Sequence, residues 1–194
     1  MPGEMGPTLD RESPPRVEFR EPKRFDRREI ADLWERRTGM GIDSTLDALF
    51  DDESAVYGVV ATRVEQVVGS GLVAVYSSEG VSEYFHIDVS EYPVAGLNGV
   101  LLAGVVSEEW EGKGIGTDLM RIRLDLLTQN DVGAAFGTAW LRDDHVDSSA
   151  LFEKCGFERL ETIPAYYQQE ETSRDCPDCE ETCECAAAIY TKQL

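Results

Sequence analysis

The chain has 194 residues, of which 38 are Asp or Glu and 18 are Lys or Arg, giving a formal net charge of -20 and an isoelectric point near 4.3. With 42% apolar and 9% aromatic residues the composition is globular and of single-domain length, which excludes an acidic chain disordered throughout. A surface of this sign repels nucleic-acid phosphates and anionic lipid, and no basic patch offsets it, so neither partner is expected.

The acid runs from Glu4 to Glu184 and is not focused on one segment. That distribution favours adaptation to concentrated salt, as in a halophilic organism, over a field built to gather a basic substrate. The longest strongly apolar run, residues 100–106, falls far short of the roughly 18 to 20 residues a membrane span needs. Residues 1–16 carry Pro and acid where a secretory signal would need a basic start and an apolar centre. They read as a disordered tail on a cytoplasmic protein whose folded domain spans 17–194.

In chain order, residues 17–20 read as a short strand. Residues 27–38 read as a helix, with Ile30, Leu33 and Trp34 at helical spacing before Gly39. Residues 45–50 continue as a second helical patch. Two β-branched runs, 55–63 and 66–76, flank Val64 and Glu65 and read as an antiparallel pair. Residues 83–89 read as strand or loop. The wholly apolar run 99–106 predicts a strand buried on both faces, hence central. A glycine-rich turn at 111–116 then opens a helix over 117–129, and a strand (134–141), a short helix (148–155) and two strands (157–163 and 186–192) complete a mixed α/β domain.

Residues 106–120, VSEEWEGKGIGTDLM, are the most informative segment. Glycines between a buried strand and a helix let the backbone approach a ligand, and the unpaired N–H groups of the helix start attract phosphate. Neither a nucleotide P-loop nor the dinucleotide G-x-G-x-x-G pattern is present. The segment resembles the coenzyme A loop of the GNAT family of N-acetyltransferases, whose typical form is V-x-P-E-Y-R/Q-G-K-G-I-G. A second signature of that family, A-L-Y-E-K-x-G-F, resembles residues 150–157, ALFEKCGF.

The resemblance implies the GNAT fold, a central and mostly antiparallel sheet flanked by helices with a splayed central strand pair. It also implies direct transfer of an acetyl group from acetyl-CoA to an amine, and an N-acetyltransferase domain over 17–194. By the same resemblance, the backbone of Val105, Val106 and Ser107 would meet the pantetheine arm, while Glu111, Gly112, Lys113, Gly114, Ile115, Gly116 and Thr117 would hold the pyrophosphate. Glu111 and Asp118 place acid inside this loop. Phe152 stands where relatives often carry a Tyr that protonates the departing thiolate, and Phe has no proton to give. For the general base the sequence offers Glu108, Glu109 and His86 only as candidates. The alternative reading is a domain that binds coenzyme A without catalysis, as a sensor or as an interaction module using the cysteine loop described next.

Residues 176–185, CPDCEETCEC, hold four of the five cysteines. Disulfides are rare in a cytoplasmic chain, so the economical reading is one structural zinc held by Cys176, Cys179, Cys183 and Cys185. A C-P-x-C redox pair and a tail of free thiols are the competing readings. Seven acids between Glu170 and Glu184 argue against a nucleic-acid-binding zinc module. The cluster falls in an insertion, 168–185, between the last two strands, where metal would staple a wall of the acceptor pocket.

Overall fold

The computed structural model describes residues 16–89, 92, 94–141, 148–168, 176, 178–179 and 183–194. Residues 1–15 of the expected tail over 1–16, and much of the 168–185 insertion, lie outside the described residues. Among the described residues seven strands form one sheet: β1 (Glu18–Arg20), β2 (Val56–Arg63), β3 (Gln66–Tyr76), β4 (Asn98–Val106), β5 (Ala134–Leu141), β6 (Glu158–Ile163) and β7 (Ala186–Gln193). Their order is β1-β2-β3-β4-β5-β7-β6, and only β4 and β5 run parallel. The mixed α/β class and the mostly antiparallel sheet are therefore as expected.

Helices α1 (Arg27–Thr38), α2 (Asp43–Leu49) and α3 (Ser78–Phe85) cover one face of the sheet. Ile30, Leu33 and Leu46 pack there against Val60, Leu72 and Ala103, and Val81 and Phe85 against Val100 and Phe136. Helices α4 (Ile115–Gln129) and α5 (Ser149–Lys154) cover the other, where Met120, Leu127 and Phe152 meet Leu101, Ala135 and Tyr190. No helix among the described residues is long and apolar enough to cross a membrane.

The strand-or-loop expectation for residues 83–89 is corrected: helix α3 occupies the first part of that segment and begins five residues earlier. Its start is set by Ser77, whose Oγ accepts the Gly80 N–H at 3.2 Å, and its buried face by Val81 and Phe85, four residues apart. It ends at His86, which takes a left-handed conformation. Starting the segment at Glu83 separated Phe85 from the capped turn that makes it helical.

The feature that positions the site is a break between β4 and β5. Leu72 faces Ala103 and Val73 faces Leu101, so Leu102 is one residue too many for its partner strand, a β-bulge. Side chains on either side of a bulge change faces. Leu101 accordingly packs on the α4 side, while Leu102 and Ala103 both turn toward α1. Parallel pairing stops at the same place: Asn98–Leu101 matches 134–137 and nothing beyond. Strand β4 stays with β3 as far as Val106, whereas β5 follows β7 to Leu141. The two halves of the sheet splay apart from Leu102 onward.

Arg123 was legible only as the polar gap in an apolar helix stripe, yet it is buried. Its guanidinium donates from Nη1 to the Ala103 carbonyl at 3.1 Å, one residue past the bulge. Gly71 and Gly104, directly opposed on β3 and β4, make room for it: a Cβ at Gly71 would stand 2.8 Å from Arg123 Cδ. Burial pulls its pKa down to about 10, so it still carries its charge near neutrality.

A second buried charge, Asp26, anchors the start of α1. Arg20 reaches it through two hydrogen bonds of 2.7 and 2.8 Å, and the Lys23 N–H adds a third at 2.7 Å. Burial alone would push this carboxyl up, but the Arg20 pair and the Lys23 N–H win and hold it below the usual range. Its stabilising share is thus complete above about pH 4 and is lost as pH falls through its lowered pKa. Arg20→Met leaves the buried carboxylate unpaired and should cost about 3 kcal/mol at pH 7. In that variant burial acts without the Arg20 pair, so the stability gap from the parent should narrow as acid protonates Asp26. Urea unfolding at pH 7 and pH 3 measures both, and a gap independent of pH would contradict the assignment.

Candidate active site

The splay has a glycine loop at one end and an open cleft at the other. At the first, β4 leaves the sheet through Ser107, whose N–H donates to the Val68 carbonyl at 2.9 Å and whose carbonyl accepts the Trp110 N–H at 2.9 Å. Both backbone groups of Ser107 are thus engaged within the protein. Beyond Leu101 the edge of β4 that faces β5 has no partner strand among the described residues, and it runs past Val105 and Val106. After the short 3-10 turn Glu108–Trp110, Gly112 and Gly114 adopt φ of +69° and +88°, values that favour glycine, and a Cβ on either would point into open space. Among the described residues the N–H groups of 112–117 meet no hydrogen-bond acceptor. Six donors thus gather at the positive end of a 15-residue helix, an arrangement that suits an anion.

The acids within this loop are compensated by residues from elsewhere. Arg37, in the last turn of α1, pairs with Glu108 at 2.7 Å and also with Glu111. Asp118 pairs with Arg121 at 3.3 Å. Arg63 and Lys113 lie over the Trp110 ring at 4.9 and 4.4 Å, and Lys154 Nζ reaches Thr117 Oγ1 at 3.3 Å. Exposed pairs of this kind add little to stability, but they remove the local repulsion that bare carboxylates would present to a phosphate.

At the apex of the splay, on the α1 face, opens a cleft of about 470 Å³. It is lined by Leu102 and Thr138 from the splayed strands, by Trp34, Met40 and Ile42 from α1 and the segment after it, and by Tyr76, Tyr84, Tyr166 and Tyr167. No charged side chain is among the described residues lining it, in a chain where 29% of residues are charged. The three candidate bases are not gathered there. Glu108 and Glu109 follow the far end of β4, six and seven residues past Leu102, and Glu108 is occupied by Arg37. His86 is exposed at the end of α3 and does not line the cleft. Sequence reasoning missed the four tyrosines, which come from β3, α3 and the 3-10 turn after β6; the only signal was the tyrosine pair at 166–167.

Phe152 is buried between Tyr190, stacked at 4.8 Å, and Phe157, edge-on at 5.1 Å. Its ring edge lies under Gly137, where β5 parts from β4; a Cβ there would meet it at 2.8 Å. The Tyr190 hydroxyl accepts from Arg159 and donates to Glu153, so it is turned to that pair.

The four cysteines of the insertion converge. All four sulfurs lie within 4.8 Å of one another, with Cys176 to Cys185 at 3.8 Å and Cys179 to Cys185 at 3.6 Å, and none is in a disulfide. A tetrahedral zinc with bonds of about 2.3 Å sets its sulfurs about 3.8 Å apart, so the spacing fits a site of four thiolates. Burial above all pushes the Cys185 thiol up to about 12, while at Cys176 burial is outweighed by hydrogen bonds, first that from the Asp178 backbone, which hold its thiol down.

A model of the acetyltransferase (GNAT) family matches residues 18–157. The chain belongs to the GNAT family. As a member of that family it is an N-acetyltransferase using acetyl-CoA. Among solved structures it is similar to the ribosomal-protein-S18-alanine N-acetyltransferase of Escherichia coli, at 14% identity and a TM-score of 0.62, over 92% of this chain and 94% of that one. The ribosomal-protein-alanine N-acetyltransferase of Brucella melitensis has 15% identity and a TM-score of 0.63, over 91% and 99%. An acetyltransferase of Bacillus subtilis, solved with CoA, has 12% identity and a TM-score of 0.61, over 92% and 99%. These likenesses are of fold. No curated protein sequence matches the chain.

Proposed function

We propose that this GNAT protein acetylates the free α-amine of a polypeptide whose leading residues are uncharged. The observation that carries the proposal is the pairing, across one splay, of a row of unpaired N–H groups with an aromatic cleft whose described lining residues carry no charge. In this reading the N–H groups of 112–117 hold the pyrophosphate and the unpaired edge of β4 at Val105 and Val106 runs along the pantetheine arm. The backbone at the Leu102 bulge, held by Arg123, faces the thioester carbonyl and polarises it. Two similar structures named for acetylation of a ribosomal-protein alanine support a polypeptide acceptor. A neutral wall favours apolar leading residues, because a charged side chain would be desolvated without a partner.

With Phe152 in place of an acid, the thiol leaves as thiolate, which its own acidity near 8.5 permits. The cysteine cluster holds one structural zinc, since four protein sulfurs leave no coordination position for substrate. The acid spread over the surface supports a salt-rich cytoplasm as the working medium.

The test is thiol release from acetyl-CoA against peptides headed by Ala, Met or Leu, the same peptides headed by Asp or Lys, and polyamines. Apolar-headed peptides should turn over at least about tenfold faster than the charged ones, the cost of one unpaired buried charge being larger than that. Release with polyamines alone would remove the polypeptide acceptor. Binding of acetyl-CoA without release across the panel would favour a non-catalytic sensor.

A further inference from the structure

The cysteine cluster and the acceptor cleft are separated by one aromatic side chain. Cys185 immediately precedes β7, whose first residues pair with the end of β5: Ala186 with Leu141, and Ala187 with Trp140. The Trp140 side chain therefore lies beside the Cys185 thiol, close enough to influence it. On its other side the indole meets Tyr167 edge-on, with centroids 6.1 Å apart and planes at 68°. Tyr167 in turn packs edge-on against Tyr166 at 5.1 Å, and both tyrosines line the cleft. Tyr166 is anchored in the core with Phe136 and Ile189, whereas Tyr167 is half-buried, packing on the edge of the same cluster as well as against the two rings beside it.

We infer that a thiolate-bound metal at Cys176, Cys179, Cys183 and Cys185 sets the acceptor wall through Trp140 and Tyr167, so that metal occupancy controls acceptor binding and leaves coenzyme binding alone. The inference rests on the metal reading of the cluster. A metal fixes Cys185 and with it the partner of the indole; the indole fixes Tyr167. The cradle at 112–117 belongs to the other end of β4 and shares no residue with this chain of contacts. A purely structural zinc would instead make both binding steps and global stability fall together.

The experiment uses the full chain in reducing buffer, stripped of metal and titrated with cobalt(II). One equivalent should bring up thiolate charge-transfer absorption, and Cys183→Ser should weaken it. Without that absorption both the metal reading and the inference fail. With it, the emission that Trp140→Phe removes should shift on metal binding, and the KM of the Ala-headed peptide should rise about tenfold in the stripped protein, the worth of one aromatic contact. The dissociation constant for acetyl-CoA should not move. Trp140→Phe should still take up one equivalent of cobalt while its peptide KM no longer depends on metal. A bound metal that leaves the Trp140 emission unchanged would overturn the inference, as would peptide and coenzyme affinities that fall in parallel. Either result would leave the metal site and the acetyltransferase activity standing.

Discussion

Replacing Gly114 with valine is expected to weaken acetyl-CoA binding by at least about a hundredfold while leaving the melting temperature almost unchanged. Gly114 sits at φ +88°, at the entry to α4, with open space where a Cβ would point. A β-branched side chain there must either accept left-handed strain of about 1 to 2 kcal/mol or rotate the loop out of shape. Rotation scatters the N–H groups of 112–117, and each hydrogen bond to a charged phosphate contributes about 1.5 to 3 kcal/mol, so losing two reaches the stated factor. The loop is exposed and packs nothing behind Gly114, so the core should not register the change. Gly116→Ala is the matched control. Its methyl would meet Leu151 at an ordinary 3.8 Å, and its backbone needs no left-handed conformation, so coenzyme affinity should stay close to that of the parent. Isothermal titration with acetyl-CoA decides it, and a Gly114→Val protein that binds like the parent would place the pyrophosphate elsewhere.

That cradle was readable in the sequence because its chemistry is local. Three glycines in five residues, between an apolar strand and an amphipathic helix, specify a backbone shape without help from the rest of the chain. The cysteines were readable for the same reason: ten residues supply all four sulfurs. Compensation of the loop acids was not readable, since Arg37 lies 71 and 74 positions from Glu108 and Glu111 and meets them only because α1 packs beside the end of β4. The strand run 99–106 announced its burial but not its bulge, because Leu102 is as apolar as its neighbours and the extra residue shows only against β3. Arg123 escaped because a polar residue within a helix stripe reads as a boundary of the buried face. What lets it enter is a pair of glycines on two other strands. The cleft was least legible of all: its aromatic walls are assembled from α1, β3, α3 and the turn after β6, and no one of these segments carries a signal by itself.

The lack of charge among the described residues lining that cleft leads to the second large effect. The rate of acetyl transfer to a peptide α-amine is expected to climb about tenfold per pH unit between pH 6 and pH 7 and to level near the amine's own pKa, about 7.7 to 8.0. Among the described residues lining the cleft no carboxylate or imidazole is present to take the proton. An ammonium entering an uncharged aromatic cavity also loses its hydration without gaining a counter-charge, which biases binding toward the free base. Arg123, charged and held one residue past Leu102, adds to that bias. The reactive fraction is then set by solution acidity, and a rise of roughly thirty- to fiftyfold between pH 6 and pH 8 follows from it. Glu108→Gln, Glu109→Gln and His86→Gln should each leave the profile in place, because none of the three lines the cleft and Glu108 is engaged with Arg37 at the other end of β4. The contrary result is equally distinct. A profile already flat at pH 6, or one abolished by any of these three substitutions, would mean that a protein group removes the proton. The acceptor could then arrive as the ammonium it is in solution.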